Sequence, residues 1–126
     1  MIKEILIVAL GGGVGSALRY LTSTWGAKYG LYGFPLGTFS VNIVGCLIAG
    51  IVIGLSSKYP LFNGELRLLL MVGFCGGYTT FSAFSAESVK LFEAGSYLIL
   101  FLYIIASVVL GMVALWCGNL LSKIVL

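Results

Sequence analysis

The sequence predicts an all-α membrane protein with four transmembrane helices. Three observations carry that prediction. Of 126 residues, 60% are hydrophobic and only 9% are charged, against about 25% charged in an ordinary soluble domain. The apolar residues gather in four runs, each close to the ~20 residues that a helix needs to cross the hydrocarbon. Short connections rich in glycine, proline, asparagine and serine separate them, and these residues punctuate helices. A core of this size cannot hide so much apolar surface, so the bilayer has to act as its solvent. The length fits one domain, residues 1–126, with no room beside the spans for a soluble one.

The first span covers 5–21, and the chain begins Met1-Ile-Lys-Glu-Ile-Leu-Ile-Val-Ala-Leu10. That start resembles a signal peptide, but Glu4 interrupts its basic region and no small-x-small cleavage site follows. A retained helix is expected. The turn-rich segment Lys28-Tyr-Gly-Leu-Tyr-Gly-Phe-Pro35 leads to the second span, 36–55. Ser56-Ser-Lys-Tyr-Pro60 and Asn63-Gly64 lead to the third, 66–92. Glu93-Ala-Gly-Ser96 leads to the fourth, 97–121. Gly11/Gly15, Gly50/Gly54, Gly73/Gly77 and Ser107/Gly111 recur at helix-contact spacing, which lets backbones approach closely.

The third span is unusual. Its centre reads Gly73-Phe-Cys-Gly-Gly-Tyr-Thr-Thr-Phe-Ser-Ala-Phe-Ser85, a poor uninterrupted helix. Each unpaired backbone group facing lipid costs several kcal/mol. A break there has to be buried in protein or line a site. This segment is therefore expected to be a helix broken mid-membrane and the functional centre.

Charge and chemistry exclude several classes. The net charge of +3 comes without a basic run or interleaved aromatic patch, so no nucleic-acid partner is expected. Histidine is absent, which removes the commonest proton shuttle and metal ligand. Cys46, Cys75 and Cys117 are far apart, without a CxxC pair, and read as buried free thiols. Gly11-Gly-Gly-Val-Gly-Ser16 fits neither a dinucleotide fingerprint nor a phosphate loop. There is no acid pair and no nucleophile–base set, so an enzyme is not expected. Four spans put both termini on one side, with Lys3, Lys58, Arg67 and Lys123. Lys28 and Lys90 fall opposite, joined by Arg19 if it reaches that interface. So weak an asymmetry permits insertion either way up.

Several polar or aromatic residues inside the spans carry two readings each. Arg19 either snorkels to headgroups or attracts anions at a vestibule mouth. Asn42 needs a buried partner, either another helix or a permeant ion, and Thr38 and Ser40 lie within a turn of it. Phe81 and Phe84 share a helical face, which usually means core. In a broken span rich in serine and threonine, their positive ring edges can instead meet a small anion. Tyr103 and Ser107 share a face of the fourth span. Glu87 either snorkels or serves a paired or gating role.

The central motif, Gly-Phe-Cys-Gly-Gly-x-Thr-Thr-Phe-Ser-x-Phe-Ser, resembles the signature of the CrcB/Fluc fluoride channels. Gly11-Gly-Gly-Val-Gly-Ser-Ala-Leu-Arg-Tyr20 and Pro35-Leu-Gly-Thr-Phe-Ser-Val-Asn-Ile-Val-Gly45 resemble that family's first- and second-helix motifs, in the expected order. The resemblance implies a fluoride-selective passive channel in the bacterial cytoplasmic membrane, built as an antiparallel dual-topology homodimer. It implies a fluoride path along Thr38, Asn42, Phe81, Ser82, Phe84, Tyr103 and Ser107, with Arg19 and Glu87 at the vestibule. It also implies a structural Na⁺ at the dimer centre, held by the carbonyls of Gly76 and Thr79. Ala83 replaces a common threonine and Gly111 lacks a hydroxyl, so a donor near the path is missing. Two alternatives compete. A small four-helix proton-coupled multidrug exporter needs a titratable carboxylate deep in a span. A non-conducting scaffold leaves Asn42 and the break without purpose.

Overall fold

The computed structural model describes residues 1–126, and every regular element is helical. Helix α1 covers Ile2–Tyr29 and α2 covers Leu36–Lys58. A single 3₁₀ turn, Pro60–Phe62, leads to α3, the continuous helical run 65–78. Within α3, Leu68–Cys75 is wound in wider turns, in which the Gly76 N–H reaches back to the Met71 carbonyl. Helix α4 covers Phe81–Glu93 and α5 covers Tyr97–Ile124. With α3 and α4 taken as one span, four segments are long and apolar enough to cross a membrane. The chain is a multi-pass membrane protein.

Helix α1 runs eight residues past the expected end of its span. Hydropathy falls after Leu21, but a helix needs only backbone bonds and tolerant side chains. Thr24 returns its hydroxyl to the Tyr20 carbonyl at 2.7 Å, and the Trp25 and Tyr29 rings pack 5.1 Å apart. Arg19 therefore lies about 15 Å of helix rise before the end of α1. The helix stops at Gly30, and Tyr32 and Gly33 then turn the chain with φ of 57° and 78°. Pro35, which has no N–H to leave unpaired, precedes the first turn of α2.

Contacts at one end join the N-terminal segment to the start of α3 and the C-terminus to the α2–α3 connection. Lys3 pairs with Glu65 at 2.5 Å. The Tyr59 hydroxyl donates to the Leu126 carbonyl at 2.7 Å.

Glycine makes the two main helix contacts possible. Gly11 and Gly15 of α1 lie directly on α3 backbone, at Leu69 and Phe74, and Gly77 lies on Gly12. Gly50 and Gly54 of α2 lie on Leu115, Asn119 and Ser122 of α5, and Gly118 lies on Leu47. A side chain at any of these positions would overlap a neighbouring helix. Gly111 differs, since a Cβ there would meet Cys46 Sγ at an ordinary 3.5 Å. The single chain has a thin core. Only 21 of 126 residues are buried, so most apolar side chains point outward to lipid or to another protein.

Candidate functional site: a groove at the junction of α3 and α4

The site begins with two residues that leave the helix. Thr79 (φ −81°, ψ 159°) and Thr80 (φ −150°, ψ 120°) are extended. The Thr79 N–H still reaches the Cys75 carbonyl at 3.0 Å, and its hydroxyl donates to the same oxygen at 2.8 Å. Thr80 turns away from that ladder. Its N–H donates to Asn42 Oδ1 at 2.8 Å, and Asn42 Nδ2 donates to the Thr80 carbonyl at 3.1 Å. One amide side chain on α2 thus satisfies both backbone groups of one residue. The Thr80 hydroxyl oxygen accepts the Ala83 N–H at 3.2 Å, which makes Thr80 the N-cap of α4.

This arrangement frees two carbonyls. In an unbroken helix the Gly76 carbonyl would accept the Thr80 N–H, which has gone to Asn42. The Thr79 carbonyl would accept the Ala83 N–H, which has gone to the Thr80 hydroxyl. No backbone N–H reaches either oxygen. The nearest donor to the Thr79 carbonyl is Arg19 Nη1 at 3.5 Å, a long contact.

On one side of the junction lies an open groove of about 300 Å³, lined by Asn42, Cys46, Thr79, Thr80, Phe81, Phe84, Ser107 and Val108. The Phe81 and Phe84 ring centroids are 5.9 Å apart with planes at 37°. Two of the lining residues carry a donor without a protein partner. Asn42 carries a second Nδ2 hydrogen with no protein acceptor. The Ser107 Oγ atom is buried and has no protein partner. Phe81 is 79% exposed in the single chain, so nothing in this chain closes the groove on that side.

A second cavity, about 450 Å³, lies beyond Thr80 and includes Ser16, Arg19, Thr38, Ser82 and Glu87. Thr80 lines both spaces. The Glu87 carboxylate accepts from the Thr38 hydroxyl at 2.6 Å and from the Tyr103 hydroxyl at 2.7 Å. Arg19 supplies the positive charge of this cavity.

The structure divides the residues singled out from sequence into two groups. Asn42, Phe81, Phe84 and Ser107 meet at the groove. Arg19, Thr38, Ser82 and Glu87 meet in the second cavity. Tyr103 lines neither. It is fully buried, its ring packs on Phe84 at 5.1 Å, and its hydroxyl is spent on Glu87. Thr79 also lines the groove, and Gly76 and Thr79 leave their carbonyls free at the junction. Sequence reasoning missed Thr80, although a threonine three residues before Ala83 is a recognisable N-cap signal. It read the cysteines only as buried free thiols, whereas Cys75 alone is buried, Cys117 is exposed and Cys46 lines the groove.

Comparison with known proteins bears on the whole chain. A family profile described as "CrcB-like protein, Camphor Resistance (CrcB)" matches residues 6–119. A protein of Flavobacterium psychrophilum named fluoride-specific ion channel FluC is 48% identical over 121 residues, covering 96% of this chain and 98% of that one. Proteins of the same name from Phocaeicola vulgatus and Methylobacillus flagellatus are 46% and 45% identical, each over 121 residues. They cover 96% and 95% of this chain and 99% and 94% of their own lengths. With the profile and the relatives all spanning nearly the full length, this chain belongs to the CrcB family.

Proposed function

We propose that this protein is a fluoride-selective passive channel that releases F⁻ from the cytoplasm and so lowers intracellular fluoride toxicity. The names of its relatives suggest the ion. The observation that carries the reading for this chain is the groove, whose lining brings Asn42 and Ser107, each with an unpartnered donor, together with Phe81 and Phe84. Fluoride is small and strongly hydrated, so donors have to replace its water as it enters. In this reading the Asn42 N–H and the Ser107 hydroxyl perform that task. Ring edges carry partial positive charge and contact an anion without trapping it. Arg19 raises the local anion concentration in the neighbouring cavity. Ser82 and Thr38 add hydroxyls there. Glu87 is held by Thr38 and Tyr103, which draws its negative charge away from the ion. No carboxylate stands free deep in a span, which favours a channel over a proton-coupled exporter of cationic drugs. An inside-negative potential drives F⁻ outward with about 2.3 kcal/mol per 100 mV.

The same reading includes a second copy of the chain, inserted the opposite way up in the bacterial cytoplasmic membrane. The open groove and the exposed Phe81 support it, because one chain does not wall off an ion from lipid. Thr79 is the middle residue of the span Glu65–Glu93, which supports a break at mid-membrane, where a two-fold axis would pair the two junctions. Two copies would bring together four carbonyl oxygens from Gly76 and Thr79. Their freedom from backbone N–H groups fits a hard cation such as Na⁺, whose positive charge would fasten the two junctions together.

The reading is tested by expressing the chain in a fluoride-sensitive bacterial strain. Growth in fluoride is expected from the wild-type chain and not from Phe81→Ile at equal membrane abundance. Equal protection by both, or by neither, would remove its support.

A further inference from the structure

Four aromatic rings form a continuous row from the α1–α2 loop to the groove. The Phe34 ring packs edge-on against Tyr103, with centroids 5.5 Å apart and planes at 80°. Tyr103 packs on Phe84 at 5.1 Å, and Phe84 packs on Phe81 at 5.9 Å. Tyr103 is the hinge of this row. It is fully buried, and its hydroxyl is anchored to Glu87 at 2.7 Å. That bond fixes the tip of the ring. Its faces and edges are fixed only by packing, with Phe84 and Phe34 as its aromatic neighbours.

Phe34 is the one member of the row that no helix supplies. Its place is set by the loop. Tyr32 and Gly33 turn with positive φ. The Phe34 N–H bonds to the Leu31 carbonyl at 3.0 Å, and the Phe34 carbonyl accepts from the Leu36 N–H at 2.8 Å. Gly30 leaves room for that carbonyl, since a Cβ there would lie 2.9 Å from it. Phe34 also packs edge-on against Phe39 of α2, at 5.3 Å. The loop thus holds a ring inward at a defined spot. Phe34 further walls a cavity of about 220 Å³ that reaches Thr38 and Glu87 from the loop. A smaller side chain would extend that cavity to the Tyr103 ring and release one of its sides.

We propose that Phe34 is a positioning residue for ion passage: its ring holds Tyr103, and through Tyr103 it holds Phe84 at the groove. This inference rests on the channel reading above. Phe34 touches no ion. It acts by restricting where the Tyr103 ring, and hence the Phe84 ring, can stand.

The test is the initial rate of fluoride efflux from liposomes for the wild type, Phe34→Leu, Phe34→Tyr, Tyr103→Leu and the double variant Phe34→Leu/Tyr103→Leu. Loss of one aromatic contact is expected to slow Phe34→Leu about two- to tenfold. Phe34→Tyr keeps the ring and is expected to stay near the wild-type rate. In the Tyr103→Leu background, Phe34→Leu is expected to add no further loss, because the ring it positions is gone. Phe34→Leu at the wild-type rate would overturn the proposal. So would an undiminished further loss in the double variant, or failure of Phe34→Tyr to conduct. If Phe34→Leu does not reconstitute, Phe34→Met is held to the same expectations. Absence of fluoride efflux from wild-type vesicles would instead overturn the channel reading.

Discussion

Replacing Asn42 separates its two tasks, one structural and one towards the ion. In Asn42→Leu, the Thr80 N–H loses an acceptor at 2.8 Å and the Thr80 carbonyl loses a donor at 3.1 Å. Interhelical hydrogen bonds within membranes average about 0.6 kcal/mol and reach about 1.7 kcal/mol. Neither Thr80 group has a substitute partner, so the upper part of that range applies to each. The expected destabilisation is about 2–3 kcal/mol, read as loss of helicity on denaturation in detergent. The variant also removes the second Nδ2 hydrogen, which has no protein acceptor, from a residue that lines the groove. A hydrogen bond to a charged group contributes about 1.5–3 kcal/mol, so fluoride flux should fall about 10- to 100-fold. Asn42→Asp keeps an acceptor for the Thr80 N–H but offers no amide N–H to the groove. It should be closer to wild type in stability than Asn42→Leu and comparably poor in flux. Wild-type stability and wild-type flux in Asn42→Leu would refute both assignments. Normal flux in Asn42→Asp would refute the donor role alone.

Three further outcomes follow from the packing. Gly15→Val would place a side chain on the Phe74 carbonyl and should cost at least about 1–3 kcal/mol, measured as a lower midpoint of thermal helix loss. Thr80→Ala removes the acceptor of the Ala83 N–H and should destabilise α4 by about 1 kcal/mol, visible as faster amide exchange in its first turn. Lys3→Gln breaks an ion pair whose side chains are 70% and 61% exposed. Its effect should stay below about 1 kcal/mol, and a larger shift in the denaturation midpoint would show that the pair fastens α1 to α3.

The architecture was legible because hydropathy and turn residues report on the solvent around each segment. The four runs and the glycine pairs on α1, α2 and α3 correspond to helices and to their contacts. The length of α1 was not legible, since residues 22–29 stay helical through backbone bonds that hydropathy does not sense. The wide turns of Leu68–Cys75 have no side-chain signature, because they differ from an α-helix only in which carbonyl each N–H selects. At the site, the motif pointed to Asn42, Phe81 and Phe84. It did not show that Asn42 serves the Thr80 backbone, which depends on how α2 is placed against the junction. Nor did spacing along α5 separate Tyr103 from Ser107. They share a helical face, but Tyr103 reaches Glu87 while Ser107 stays at the groove. Phe34 lay in a segment read only as a turn, and its role depends on a ring 69 positions away in the chain.

The most direct measurement is ion loss from liposomes containing the purified protein, loaded with fluoride or chloride, with valinomycin and a potassium gradient clamping the potential. The account predicts rapid fluoride loss and retention of chloride. Loss of both ions at similar rates would contradict the assigned selectivity of the groove. Retention of both by correctly inserted protein would contradict the channel itself.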